Sequence, residues 1–172
     1  MQRGFTLLET IIVVAILAAV AAAVVPMLGE VQDDALLKVT RHEVASLRDA
    51  CVAFRRDVGY YPKTIGDLTS IAPPSEVCAP DLSAAPDGDP PVVAFPAGRS
   101  AWDPEAKRGF RGPYLTAPRP LVTPGKLPDA WDRASANPRR LWSYSVESHA
   151  LVVRSQGADV GLASDDVKET LP

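Results

Sequence analysis

Residues 5–28 read FTLLETIIVVAILAAVAAAVVPML, and this stretch decides the fold. From Ile11 to Leu28 it contains 18 residues without a charge. As a helix, that run is about 27 Å long, close to the thickness of the hydrocarbon core of a bilayer. The sequence therefore predicts a membrane-spanning helix at the amino terminus. Arg3, on the short side of the run, favours a cytoplasmic location for that end.

A secretory signal peptide and a plain membrane anchor are the simplest alternatives for this segment. The charged region before the apolar run is only Met1-Gln2-Arg3, and the run is longer than the core of a typical signal peptide. Helical spacing also continues from Glu30 onward without a clear boundary. These features favour a helix that stays in the mature protein.

Glu9 is a carboxylate near the start of this apolar helix. A carboxylate inside the membrane costs on the order of 3 kcal/mol on insertion scales and usually signals function. A positive partner would offset that cost, and a cut after Gly4 would supply one as a free amino group on Phe5. The amine of one subunit would then pair with Glu9 of its neighbour, which predicts a role for Glu9 in assembly.

Apolar residues beyond the membrane segment recur at helical spacing between charged positions. They form one stripe, made of Val31, Ala35, Val39, Leu47, Cys51, Phe54 and Val58. The pattern predicts a single helix from about Phe5 to Val58. A kink is expected near Pro26, because proline inside a helix removes a backbone hydrogen bond. Gly59 and Pro62 are typical of a helix end.

Residues 30–172 are predicted to form a soluble α+β head, in which the long helix packs on a small antiparallel sheet. A short helix is expected around residues 64–71. Strands are expected near residues 141–146 and 150–155, joined by a turn at Ser148-His149 into a hairpin.

Proline is unevenly distributed in the head. Thirteen of the 17 prolines lie between Pro73 and Pro128, so this stretch is neither mostly helix nor central strand. Residues 73–108 also have no clear hydrophobic period. We interpret them as a long loop, ordered in whole or in part.

Arg3-Gly4-Phe5-Thr6-Leu7-Leu8-Glu9 resembles the prepilin processing motif of type IV pilins and type II secretion pseudopilins. The resemblance implies that a cytoplasm-facing prepilin peptidase removes residues 1–4 as a leader, and that the new amino terminus on Phe5 is N-methylated. Residues 5–29 would then be the membrane-spanning assembly helix. Glu9 is the fifth residue after the cut, as in the family.

The position of Pro26 also matches the usual kink of that family. Further pieces of the head resemble, in order, the major pseudopilin of type II secretion systems, the G subunit. They are Tyr60-Tyr61-Pro62, Gly112-Pro113-Tyr114-Leu115, Pro128-Asp129-Ala130-Trp131-Asp132, Tyr144 and Ser155-Gln156-Gly157-Ala158-Asp159 with Asp165-Asp166. The resemblance covers nearly the whole chain except about residues 73–108, which it implies are an insertion. The chain departs from that pattern at Asp132 and Val160, where the family usually has glycine.

The resemblance implies calcium binding by the loop between Ser155 and Asp166. The acidic ligands of the family fall on Asp159, Asp165 and Asp166, and the serine of its motif falls on Ser155. Calcium takes six to eight oxygen ligands, and backbone carbonyls would complete the shell. The alternative is a solvated acidic tail.

Cys51 lies on the long helix and Cys78 in the proline-rich stretch. We expect a disulfide between them, because the head should face the periplasm, where disulfides persist. The alternative is a buried Cys51 in the apolar stripe and a free thiol at Cys78.

The resemblance implies a structural subunit of a type II secretion pseudopilus, which helps to export folded proteins across the outer membrane. The subunit would polymerise through its amino-terminal helix, with other pseudopilins and an inner-membrane assembly platform as partners. It would cross the bacterial inner membrane once, with its head in the periplasm. The alternative is a pilin of a type IV pilus that serves adhesion, motility or DNA uptake.

Other classes of function are not favoured. A formal net charge of −3 offers no basic surface for nucleic acid. A membrane-anchored hydrolase would need a catalytic group, and Ser155, His149 and Asp159 could be imagined as a triad. The sequence has no nucleophile elbow, zinc pair or paired-acid motif, so we expect no enzymatic activity.

Overall fold

A computed structural model describes residues 7–83, 85–116, 126–132, 140–157 and 166–172. The chain divides into two units, residues 1–37 and residues 38–172. In the described residues, the elements are helix α1 (Leu7–Val58), a short 3-10 helix (Ile65–Thr69) and five strands. The strands are β1 (Glu76–Cys78), β2 (Val92–Ala94), β3 (Ser143–Glu147), β4 (Ala150–Ser155) and β5 (Val167–Thr170). The predicted α+β class is confirmed.

Helix α1 ends at the residue that the sequence predicts. Gly59 follows Val58 with a φ of 88°, a left-handed conformation that favours glycine, and its amide donates to the carbonyl of Arg55 at 2.7 Å. The guanidinium of Arg99 donates to the carbonyl of Val58. The carbonyls of Arg55 and Val58, at the end of the helix, therefore have partners.

The described part of the amino-terminal unit, residues 7–37, is helical. The segment Leu7–Val24 is long and apolar enough to cross a membrane, judged by length and composition. All of its side chains are exposed in the single chain. A helix that is apolar on every face needs lipid or other helices around it.

The second unit has its core along one face of α1. The buried helix residues follow one another at spacings of three or four, and they are Val44, Leu47, Cys51, Phe54 and Val58. Val31, Ala35 and Val39, which the sequence assigns to the same stripe, are exposed. Only the carboxy-terminal part of the stripe, from Leu47 to Val58, therefore packs in the core of the head.

Strands β3, β4 and β5 form an antiparallel sheet in that order. The predicted hairpin between β3 and β4 is confirmed. Ser148 and His149 form its turn with φ values of 50° and 65°, as a two-residue turn with a right-handed strand twist requires. Strand β5, which was not predicted, pairs with β4. The acidic stretch therefore connects two paired strands and is not a free tail.

The interpretation of residues 73–108 as one long loop is wrong, because they contain β1 and β2, which pair with each other antiparallel. The strands have three residues each, too few for a hydrophobic period to be visible. Prolines precede and follow both strands without interrupting them. The pair forms a sheet of its own, apart from β3–β5.

An ion pair and a backbone hydrogen bond hold residues 109–111 to the end of α1. The buried carboxylate of Asp57 pairs with Arg111, with 2.5 Å between Oδ2 and Nε. The same guanidinium lies 4.6 Å from the centre of the Trp102 ring. The amide of Gly109 donates to the backbone carbonyl of Asp57 at 2.8 Å. This side of the head is therefore anchored by charge as well as by apolar packing.

Candidate functional site: assembly helix and carboxy-terminal loop

Glu9 lies in the first turn of α1. A negative side chain there is favoured by the helix dipole, whose positive end is at the amino terminus. Neighbouring Leu8 and Ile11 are 68% and 56% exposed, so the carboxylate lies within an apolar surface. The location fits a contact with another molecule in the membrane.

The other predicted residues of the assembly segment are described only in part. Gly4 and Phe5 lie outside the described residues, so the cleavage site stays a prediction. Pro26 lies within the uninterrupted span of α1. The predicted kink there also stays a prediction.

The acidic loop begins and ends at one end of the sheet. Ser155 is the last residue of β4, and it pairs with Val167, the first residue of β5. Asp166 comes directly before β5, so Ser155 and Asp166 lie near each other. Asp159 and Asp165 lie outside the described residues. The sheet thus brings together the two described members of the predicted calcium site.

Ser155 contacts a buried carboxylate that the sequence analysis did not single out. Its hydroxyl donates to Oδ2 of Asp129 at 2.8 Å, and the amide of Trp131 donates to Oδ1 of Asp129 at 3.0 Å. Asp129 is 0% exposed. Burial raises the pKa of the Asp129 carboxyl, and these two hydrogen bonds oppose the rise. The sequence signal at this position is the Pro128–Asp132 motif, which by itself indicates the family and not a buried carboxylate.

Arg140 fastens the start of the same loop. Its Nη1 donates to the carbonyl of Gly157 at 2.8 Å, and its backbone amide donates to Oδ1 of Asp132 at 2.9 Å. The amide of Asp129 donates to the carbonyl of Arg140 at 3.2 Å. Asp132, one of the two departures from the family pattern, therefore has a structural partner in this chain.

Asp166 pairs with an arginine on the neighbouring strand. Its Oδ2 lies 3.3 Å from Nε of Arg154, and Nη2 of Arg154 lies 3.4 Å from a carboxylate oxygen of Glu147. Within the described ranges, no group of three histidine, cysteine, aspartate or glutamate side chains could hold a metal ion. The donors of the predicted site are all oxygen, which fits calcium, and a bound ion would compete with Arg154 for Asp166.

The imagined catalytic triad does not form. His149 is exposed in the turn before β4, whereas Ser155 ends that strand. Ser155 is six residues after His149 along extended chain, a distance of about 20 Å, since a strand rises about 3.3 Å per residue. The hydroxyl of Ser155 is also engaged by Asp129. Ser155 and His149 therefore cannot act together on a substrate.

Cys51 and Cys78 are both buried, and both are free thiols in this structure. The expected disulfide between them stays a prediction.

Two comparisons with known proteins bear on this architecture. Residues 1–25 match the family model of the prokaryotic N-terminal methylation motif. The chain is also similar to type II secretion system core protein G of Escherichia coli (strain K12), with 31% identity over 59% of this chain and 78% of the relative. The chain belongs to the core protein G family. No solved structure matches it.

Family membership confirms the resemblance that was read from the sequence. As a core protein G homologue with a methylation motif, the chain is a type IV pilin-like subunit of protein secretion. The matched motif includes Gly4, Phe5 and Glu9, and Pro26 follows it directly. The apolar helix and the family together indicate association with a membrane.

Proposed function

We propose that this core protein G homologue is a structural subunit of a type II secretion pseudopilus. The observation that carries the proposal is the apolar segment Leu7–Val24, which is exposed on every side in a single chain and lies within the residues that match the methylation motif. Packing of such helices against one another would bury their apolar surface and supply most of the cohesion of a filament. The head has no catalytic role in this proposal, because its part is to form the outer surface of the polymer.

Processing would prepare the subunit for this packing. A prepilin peptidase would cut between Gly4 and Phe5, and the new amino group would be methylated. Methylation keeps the amine basic, so it would still carry a positive charge at neutral pH. That amine would pair with Glu9 of a neighbouring subunit, and the pair would set the register between helices.

The proposed location follows from the same segment. Helix α1 would cross the bacterial inner membrane once and leave the head, residues 30–172, in the periplasm. Its partners would be further copies of this chain, other pseudopilins and the inner-membrane assembly platform. The assembled pseudopilus would help to move folded proteins across the outer membrane.

Calcium would fasten the carboxy-terminal loop of the head. The three carboxylates at Asp159, Asp165 and Asp166 would repel one another without a counter-ion. Ser155 and backbone carbonyls would supply further oxygens. Because β5 follows the loop directly, an ion there would hold β5 against β4 and stabilise the folded head by binding only its folded form.

Deletion of the gene tests the function in the cell. The account predicts that the deletion strain retains folded proteins in the periplasm that the parent releases into the medium, and that the intact gene on a plasmid restores their release. Unchanged release together with the loss of surface pili would favour the type IV pilus instead. Plasmids that carry Glu9→Leu and the matched control Thr10→Val separate an assembly defect from poor expression.

A further inference from the structure

Two thiols lie in the core of the head, on elements that are far apart in sequence. Cys51 is on the buried face of α1 and Cys78 is the last residue of β1, with exposures of 0% and 1%. They are the two cysteines of the chain. Both belong to one hydrophobic cluster, so folding places both thiols in the same core.

Tyr144 on β3 completes this cluster of polar atoms. Its hydroxyl lies 3.9 Å from Sγ of Cys78, and the same Sγ donates to the carbonyl of Pro62 at 2.9 Å. Burial raises the pKa of the Tyr144 hydroxyl, and negative charge on Cys51 or Cys78 would raise it further. The Tyr144 hydroxyl is thus within electrostatic reach of both sulfur atoms.

The surroundings argue against a reactive pair of thiols. Burial raises the pKa of Cys78 to about 11. Burial also raises the pKa of Cys51, and the charge of a Cys78 thiolate would raise it further. Thiol exchange and metal binding require an accessible thiolate, and these sites offer neither access nor a stabilised charge. A buried pair of this kind fits a bond that closes during folding and then stays closed.

We propose that Cys51 and Cys78 form a structural disulfide in the mature head. The inference rests on the proposed periplasmic location, because disulfides persist in that compartment. A thiol–disulfide oxidase is the oxidant. One cysteine thiolate of the unfolded head attacks the disulfide of the oxidase, and the second thiolate attacks the resulting mixed disulfide. The two cysteines lose two protons and two electrons, and the oxidase leaves as a dithiol.

The bond would tie the small sheet of β1 and β2 to the long helix. This sheet is separate from β3–β5, and its bridge between Pro62 and Val77 is its link to the segment after α1. A covalent link at Cys78 would hold β1 against α1 on one side of the head, as the ion pair between Asp57 and Arg111 holds the later part of the stretch. The bond would add a covalent link to the contacts that Arg99, Gly109 and Arg111 make with the end of α1.

Thiol counting on the full-length protein tests the bond. Cells that produce the chain are quenched with acid, and the denatured protein is treated with N-ethylmaleimide before and after reduction. We expect no adduct before reduction and two adducts after it, by intact mass. Two adducts before reduction would overturn the proposal. The variants Cys51→Ala and Cys78→Ala serve as controls, since each gives one adduct whether or not it is reduced.

A second experiment separates this inference from the proposed location. Protease added to spheroplasts digests the head if it faces the periplasm, and free thiols in such a protein would overturn the disulfide alone. A protected head would instead contradict the location. Whichever way the head faces in the cell, refolding the denatured full-length chain in detergent with a glutathione redox buffer should form the disulfide between Cys51 and Cys78. Two free thiols after refolding would overturn the inference by themselves.

Discussion

The hydroxyl of Ser155 donates a hydrogen bond of 2.8 Å to Oδ2 of Asp129, whose side chain is completely buried. Ser155 ends β4 at the point where the acidic loop begins, and the amide of Gly157 donates back to its hydroxyl at 3.3 Å. The buried carboxylate thus positions the first residues of the loop. The described ends of the loop are thus held at Ser155 by Asp129 and at Asp166 by its place directly before β5.

Replacement of Ser155 by alanine should destabilise the head. The change leaves Oδ2 of the buried Asp129 without its hydrogen bond, which costs about 1–3 kcal/mol. Urea unfolding of the head, residues 30–172, measures the loss in free energy of unfolding. Ser143→Ala is the matched control, because its hydroxyl makes a longer bond of 3.3 Å to a half-buried carbonyl of Arg154. An equal loss in the two variants would contradict the role given to Asp129.

The same carboxyl predicts a dependence of stability on pH. Burial raises the pKa of Asp129 above its value in the unfolded chain. A group with a raised folded pKa stabilises the fold when protonated, and this contribution is lost as the pH rises through the folded pKa. The free energy of unfolding should therefore fall between about pH 4 and the raised pKa in the parent, relative to Asp129→Asn. Parallel profiles for the two proteins would contradict a raised pKa.

Calcium should raise the midpoint of thermal unfolding of the head. An ion that binds only the folded form stabilises it by an amount that grows with its concentration, about 2.7 kcal/mol at one hundred times Kd. Melts in EDTA and in millimolar calcium measure the shift. Asp159→Ala or Asp166→Ala should remove it, whereas Asp89→Ala, an exposed acid of the proline-rich stretch, should leave it unchanged. Equal midpoints in EDTA and calcium would exclude the site.

Local signals in the sequence were sufficient to predict helix α1 and the hairpin of β3 and β4. Gly59 and Pro62 mark the end of α1 because they act on the backbone at that point, and the turn at Ser148-His149 joins neighbouring strands.

Elements that depend on distant partners were missed. Strands β1 and β2 have three residues each and pair across the residues between Cys78 and Val92, so no local pattern reveals them. Strand β5 alternates between half-buried and exposed side chains and contains Lys168 and Glu169, which resembles a solvated tail. The burial of Asp129 depends on Ser155, a residue 26 positions later. Carboxylates are rarely buried, so sequence alone gave no reason to place one in the core.

Substitution of Glu9 by leucine tests the central claim most directly, because it removes the charge that should pair with the amine on Phe5 of a neighbouring subunit. Membrane fractionation should find the variant inserted as well as the parent, since leucine is favoured over glutamate in the bilayer. Imaging of filaments on overexpression should then show abundant polymers for the parent and for the control Thr10→Val, and few or none for Glu9→Leu. Normal filaments of Glu9→Leu would contradict the account.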